Sequence, residues 1–131
     1  MRIAREMYDE IVAHAQADNP DECCGIVSVD GDRAAHVYRT TNVEASPLRF
    51  VIDPRELYRV HSDIEDAGLA LGAIYHSHTR SEPYPSQTDI NFAGGWPGVL
   101  WIIVGLADGG PKVRTFEIAG GRVSETELEV V

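Results

Sequence analysis

Two histidines two residues apart are the side chains of this sequence best placed to do chemistry. His76 and His78 end an apolar run, and in an extended strand two such side chains project from the same face. Both imidazoles can therefore reach a common metal ion. Asp89 follows a proline-containing loop and takes the third position of a predicted short helix, where its carboxylate can supply a third ligand. Two imidazoles and one carboxylate are typical of a catalytic zinc site, which keeps a fourth position open for water.

Three further polar residues are candidates for this site. Zinc lowers the pKa of its bound water to about 7, but amide hydrolysis also needs a group that carries the proton to the leaving amine. Glu22, at the start of a predicted strand, is the candidate acid/base. Ser86 can donate a hydrogen bond to the oxyanion, although it could also serve only as a helix cap. Glu82 is a possible substitute ligand for Asp89, although we expect it to face solvent.

Three helices are predicted around these residues. The apolar spacing favours a helix over residues 4–17. A second begins at Pro54, with Asp53 as its N-cap and Glu56 completing a capping box, and Gly68 suits its C-terminal end. A third begins at Gln87.

The remaining apolar segments predict a sheet. Residues 24–39 read as a hairpin, and the other predicted strands cover residues 49–52, 69–78, 99–106, 112–118 and 122–130. Strands interleaved with helices predict an α/β or α+β fold, in which helices flank a mixed β-sheet in three layers. We expect residues 1–131 to form a single domain.

Bulk composition narrows the possible partners. The formal net charge is −10 and the eleven basic residues are scattered, which disfavours binding to nucleic acid or anionic lipid. No apolar run is longer than Val99–Leu106, and the N-terminal residues do not resemble a secretory signal, so we expect a cytoplasmic protein. Cys23 and Cys24 are neighbours and should point to opposite faces of a strand, which disfavours a disulfide or a shared metal.

The spacing of His76, His78, Ser86 and Asp89, together with the upstream Glu22, resembles the JAMM motif of the MPN-plus (JAB domain) zinc metalloproteases. The order of elements resembles that of the small stand-alone bacterial members, whose three-layer architecture is deaminase-like. This resemblance implies zinc bound by the two histidines and Asp89, Glu22 as acid/base, and Ser86 as oxyanion donor. It also implies a peptidase or isopeptidase that cleaves after the C-terminal Gly-Gly of a ubiquitin-like or sulfur-carrier protein, in some members releasing cysteine.

Other interpretations remain open at this point. Two histidines and a carboxylate can also bind ferrous iron in an oxygenase, and inactive MPN proteins serve as interaction scaffolds. A cupin would need a further histidine after His78, and a zinc deaminase would need a Cys-x-x-Cys pair; the sequence has neither. His14, His36 and His61 lack partners of this kind, so we expect them to be exposed or half-buried. The sequence leaves open whether Tyr84, Phe92 and Trp96 form a substrate surface or belong to the core.

Overall fold

The computed structural model describes residues 1–131, which form one eight-stranded mixed sheet and three helices. The helices are α1 (Arg5–Asp18), α2 (Pro54–Asp66) and α3 (Gln87–Ala93). The strands are β1 (Arg2–Ile3), β2 (Cys24–Asp30), β3 (Arg33–Thr40), β4 (Ala70–His78), β5 (Leu100–Gly105), β6 (Lys112–Ala119), β7 (Arg122–Thr126) and β8 (Glu129–Val130). The longest helix has 14 residues, and none of the three combines the length and hydrophobicity needed to cross a bilayer.

The histidine-bearing strand lies in the middle of the sheet. The strand order is β7-β6-β5-β4-β2-β3-β1-β8, so β4 is flanked by β5 and β2. β4 and β5 are parallel, and α3 lies in the connection between them, whereas β4 and β2 are antiparallel. In this register His76 lies opposite Cys24, which brings the residues just before β2 close to the end of β4.

Helices cover both faces of the sheet, as the sequence predicted. One apolar cluster includes Ile64 of α2 and Ala93 of α3, with Trp101 of β5 fully buried among them. The opposite cluster includes Ile11 of α1, with Tyr75 of β4 fully buried there. Alternation along β4 therefore sends the two histidines to the α2–α3 side and Tyr75 to the α1 side. The mixed sheet in three layers is confirmed.

Local sequence signals explain both ends of α2. The Asp53 carboxylate accepts from the Arg55 N–H at 2.8 Å, and Pro54 takes the first helical position, where its missing N–H is no loss. Gly68 follows the last turn with φ +71°, a conformation that glycine adopts without strain. The predicted capping box is wrong, however, because the Glu56 carboxylate accepts from the N–H and hydroxyl of Thr41 instead.

Two predicted strands differ from the observed ones. Residues 49–52 form no strand, and only an isolated bridge joins Ile52 to Asn42. The reason is a side-chain contact, because the Asn42 amide oxygen accepts the Val51 N–H that a sheet partner would otherwise use. The segment 122–130 is divided into β7, which pairs with β6, and β8, which pairs with β1 on the far edge of the sheet.

The prediction for His14 is also wrong. Its side chain is only 4% exposed and lies on the α1 side of the sheet. Its Nδ1 atom is 2.6 Å from the Tyr75 hydroxyl oxygen, and its Nε2 atom is 3.2 Å from Oδ2 of Asp18. Both partners are polar groups that a buried imidazole needs, and one of them is 61 positions away in sequence, so no local pattern could predict this contact. His36 and His61 are exposed, as expected.

Candidate metal centre

Three ligand atoms converge where β4 ends beside α3. His76 and His78 are buried, and their Nε2 atoms lie 3.1 Å apart. Asp89 of α3 places Oδ2 3.2 Å from each of these nitrogens. An ion at ordinary zinc–ligand distances from three tetrahedral donors would hold them about 3.3 Å apart, close to the observed triangle. Together the three residues form a group that could hold a metal ion.

The two histidines are oriented by different means. The Glu82 main-chain oxygen accepts from His78 Nδ1 at 2.7 Å, which leaves the Nε2 lone pair free to bind a cation. His76 Nδ1 has no hydrogen-bond partner. Its ring is instead stacked on Phe50, with centroids 4.5 Å apart and an interplanar angle of 27°. The side chain of Glu82 is exposed, so this residue contributes its carbonyl oxygen and not a substitute ligand.

A helix N-terminus positions the carboxylate. Ser86 is the N-cap of α3: its hydroxyl oxygen accepts the Asp89 N–H at 3.1 Å, and its own N–H donates to Asp89 Oδ2 at 3.0 Å. This reciprocal capping box fixes the oxygen that faces both histidines. The Ser86 hydroxyl acts there as an acceptor, so its own proton is still available for donation into the cleft.

The ionisation of Asp89 and His76 suits a cation. Burial alone would raise the pKa of the Asp89 carboxyl, but the two imidazoles and the Ser86 N–H outweigh burial and hold that pKa well below its usual range. Complete burial lowers the pKa of His76, which keeps its imidazole neutral. An ionised carboxylate beside a neutral imidazole is the protonation state that metal binding requires.

Glu22 lies in the same cleft as these ligands. The cleft has a volume of about 200 Å³, and Glu22, His78, Ser86 and Asp89 all line it. Glu22 is located just before β2, not within a strand, and is only 5% exposed. Burial raises the pKa of its carboxyl to about 7; the charge of His78 lowers it and that of Asp89 raises it further. A carboxyl group that titrates near neutral pH can both take up and release a proton during turnover.

Several other residues of the cleft and of its surroundings were not found from the sequence, which named only Phe92 among them, as a residue of either a substrate surface or the core. The sequence predicts Phe50 only as part of a strand and gives no role to Asn42, so it carries no signal for their contacts with the site. Phe92 is 40% exposed and lines the cleft, together with the exposed Leu48 and Val51. These three residues form an apolar rim beside the ligands.

The cysteines are not part of the ligand group. Cys23 and Cys24 are both buried and free, and they belong to the two opposite apolar clusters, as the alternation of a strand predicts. Burial raises the pKa of Cys23 to about 12 and that of Cys24 to about 11. At neutral pH both are therefore protonated thiols that pack as small apolar groups.

The raised pKa of Glu22 predicts a stability effect in the metal-free protein. Its folded pKa of about 7 exceeds the ordinary value of 4.5, so the folded state holds a proton that the unfolded state releases. The free energy of unfolding should therefore fall as the pH rises from about 4.5 to about 7. At pH 8, Glu22→Gln should stabilise the chelator-treated protein by about 3 kcal/mol, and by under about 1 kcal/mol at pH 5. Urea unfolding at both pH values measures this, and an equal gain at both would contradict it.

The central mixed sheet and its two imidazoles and carboxylate, with a buried carboxyl group in the same cleft, define a metal-binding hydrolase of the JAMM type. The chain belongs to the family described as prokaryotic homologs of the JAB domain, which matches residues 4–119.

Two curated relatives and one solved structure are similar to the chain over most of its length. The chain is 36% identical to the CysO-cysteine peptidase of Mycobacterium tuberculosis, over 98% of this chain and 90% of the relative. It is 37% identical to the desampylase of Haloferax volcanii, over 79% and 78% of the two chains. The solution structure of a Desulfitobacterium hafniense protein superimposes with a TM-score of 0.84, at 30% identity, over 99% of this chain and 92% of the other.

Proposed function

We propose that this protein is a zinc peptidase that hydrolyses the amide bond after the C-terminal Gly-Gly of a ubiquitin-like or sulfur-carrier protein. The observation that carries the proposal is the triangle of two imidazole nitrogens and one carboxylate oxygen, with edges of 3.1–3.2 Å, in the cleft that also holds Glu22. The names CysO-cysteine peptidase and desampylase support a protein conjugate as the substrate, and the first supports cysteine as one leaving group.

His76, His78 and Asp89 would hold the zinc ion in this proposal. Zinc suits a set of two nitrogens and one oxygen, and three protein ligands leave a position open for water or substrate. When bound there, zinc acts as a Lewis acid that polarises a carbonyl group and lowers the pKa of water. The hydrogen bond from His78 to the Glu82 carbonyl holds its ring in the orientation that this role requires.

Glu22 and Ser86 would perform the proton transfer and the charge stabilisation. The Glu22 carboxylate takes a proton from the attacking water and delivers it to the nitrogen of the departing amine, which leaves as a neutral amine. The Ser86 hydroxyl donates its free proton to the oxygen of the attacked carbonyl as that oxygen becomes negative. Both residues line the cleft, and the apolar rim of Leu48, Val51 and Phe92 offers a surface for an extended peptide.

Metal analysis and a cleavage assay on one preparation test the proposal. We expect one zinc per chain and release of the leaving amine from a peptide joined through Gly-Gly. A chelator should abolish cleavage, and added zinc should restore it. A matched peptide with Ala-Ala at the cleavage site should be cleaved more slowly if Gly-Gly is recognised. Stoichiometric iron without cleavage would point to an oxygenase, and a metal-free, inactive protein would point to a scaffold; either result contradicts the proposal.

Ser86→Ala separates the oxyanion role from the capping role. If the hydroxyl meets the oxyanion, kcat should fall by roughly 10²–10³-fold. Loss of the cap alone would cost about 1 kcal/mol of stability and leave kcat unchanged. Ser86→Gly is the matched variant, because glycine at an N-cap costs only a few tenths of a kcal/mol but also lacks the hydroxyl. Equal losses of kcat in both variants, despite different melting temperatures, are the expected result; wild-type kcat in Ser86→Gly would assign Ser86 to the cap alone.

A further inference from the structure

The Asn42 side chain uses its whole hydrogen-bonding capacity at the edge of the cleft. Its amide nitrogen donates to the main-chain oxygens of Glu22 and Arg49, both at 3.0 Å. Its amide oxygen accepts the N–H groups of Glu44 at 3.1 Å and Val51 at 3.0 Å. A primary amide has two N–H donors and an oxygen that accepts two bonds, so every position is filled. Because the side chain is buried, its bond to the Glu22 carbonyl is made away from competing water.

The four bonds join two different parts of the cleft. Three of them hold the loop of residues 43–51, which we call the cleft loop and which supplies Glu44, Leu48, Arg49, Phe50 and Val51 to the cleft wall. The fourth holds the carbonyl group of Glu22 itself. No other side chain in the structure contacts both the cleft loop and the main chain of the proposed acid/base through hydrogen bonds.

Two further contacts reinforce this connection. The Glu22 N–H donates to the main-chain oxygen of Ser46 at 2.9 Å, so the cleft loop holds the Glu22 main chain on its N–H side while Asn42 holds it on its carbonyl side. Phe50, on the same loop, stacks on the ring of His76. A shift of the cleft loop would therefore move the acid/base relative to the metal ligands.

We propose that Asn42 is a positioning residue that fixes the Glu22 main chain to the cleft loop, so that the acid/base and the substrate-facing wall are placed together. The inference rests on the proposed peptidase function. Asn42 does not touch the reacting atoms; it acts through Glu22. A displacement of about 1 Å in a catalytic group can cost about 10²-fold in rate, so loss of the Asn42 hydrogen bonds should affect kcat and not only stability.

Kinetics of Asn42→Ala in the zinc-loaded protein provide the first test. We expect kcat to fall by about 10–100-fold and KM to rise, with zinc content unchanged. Thr40→Val is the matched control: Thr40 is also buried and donates to a neighbouring carbonyl, that of Cys24 at 2.8 Å, but it does not contact the cleft loop. This control should lower the melting temperature and keep kcat within about twofold, as expected when a buried hydrogen bond serves stability alone. A kcat for Asn42→Ala equal to that of the control would overturn the proposal.

Amide hydrogen exchange gives a second test that does not depend on cleavage. In Asn42→Ala, exchange should accelerate at least tenfold at the N–H groups of Glu22, Glu44 and Val51, while Thr40→Val should leave them unchanged. An unchanged exchange rate at the Glu22 N–H would overturn the proposal even if the enzyme is active. If the wild-type protein cleaves nothing, the proposed function fails, while exchange still decides whether Asn42 holds Glu22 to the loop.

A milder variant covers the case in which Asn42→Ala does not fold. The Ser46 hydroxyl accepts the Leu48 N–H at 3.0 Å and so shapes the exposed turn that presents the Ser46 carbonyl to Glu22. Ser46→Ala removes this contact from the surface of the loop. It should lower kcat by about threefold or more and accelerate exchange at the Glu22 N–H, because the turn presenting its acceptor is loosened. Wild-type values for both would show that the position of Glu22 does not depend on the cleft loop, which would overturn the proposed coupling of the acid/base to that loop.

Discussion

Asp89→Ala is expected to remove the metal ion from the purified protein and with it all measurable cleavage. Asp89 provides the only carboxylate of the ligand group, and its Oδ2 lies 3.2 Å from each imidazole nitrogen. Loss of a partner that only orients a ligand costs 10–100-fold in metal affinity, so loss of the ligand itself should cost more than about 10²-fold. Two imidazoles without the carboxylate also provide no negative charge to offset a divalent cation. Metal content per chain and zinc titration measure the effect.

Glu82→Ala is the matched control for this variant. Glu82 lies closer in sequence to the histidines than Asp89, but its side chain is exposed and only its main-chain oxygen contacts His78. This substitution removes the carboxylate and keeps the carbonyl, so zinc content and cleavage should match those of the wild type. Full zinc occupancy in Asp89→Ala, together with a loss of zinc in Glu82→Ala, would assign the third ligand to Glu82 and refute the proposed site.

Glu22→Gln is expected to keep zinc bound and to slow turnover by about 10²–10⁴-fold, the usual contribution of a general acid/base. The amide is similar in size to the carboxyl group, but it cannot accept the proton of water at neutral pH. Because Glu22 is not one of the three ligand residues, metal content should stay at one ion per chain. The measurement is kcat on the Gly-Gly-linked peptide, with metal analysis on the same preparation.

Glu44→Gln is the matched control for a general loss of negative charge. Glu44 lines the same cleft, and its carboxylate oxygen forms a solvent-exposed ion pair with the Arg49 guanidinium at 3.2 Å. An exposed ion pair contributes little to stability, so its loss should leave the cleft unchanged. We therefore expect kcat within about threefold of the wild type. If Glu22→Gln turns over at the wild-type rate, or if both variants lose activity equally, Glu22 is not the acid/base.

The effects expected of Glu22→Gln on stability and on turnover have one physical cause. Burial that raises the pKa of a carboxyl group costs folding free energy at neutral pH, and the same burial gives the group a pKa suited to proton transfer. A glutamine at this position should therefore make the metal-free protein more stable and the zinc-loaded enzyme much slower. A functional residue commonly has opposite effects on stability and activity.

The sequence alone was sufficient to predict most elements and the convergence of His76, His78 and Asp89. The apolar period of α1 and α2 and the cap at Asp53 are local signals, and the structure confirms the elements that they predict. His76 and His78 share a face because a strand alternates with a period of two, and Ser86 and Asp89 lie together because a capping box has a fixed spacing. Each of these relations is encoded within a few residues of chain.

Only the tertiary structure determined the contacts between distant segments. The approach of Glu22 to the ligands depends on the register of β2 against β4. The predicted strand over residues 49–52 is a loop instead because of the contacts of the Asn42 side chain. The burial of His14 against Tyr75, the stacking of Phe50 on His76 and the division of residues 122–130 between two sheet edges have the same origin. In every case the interacting groups come from separate parts of the chain, so their free energies depend on packing that no short window of sequence contains.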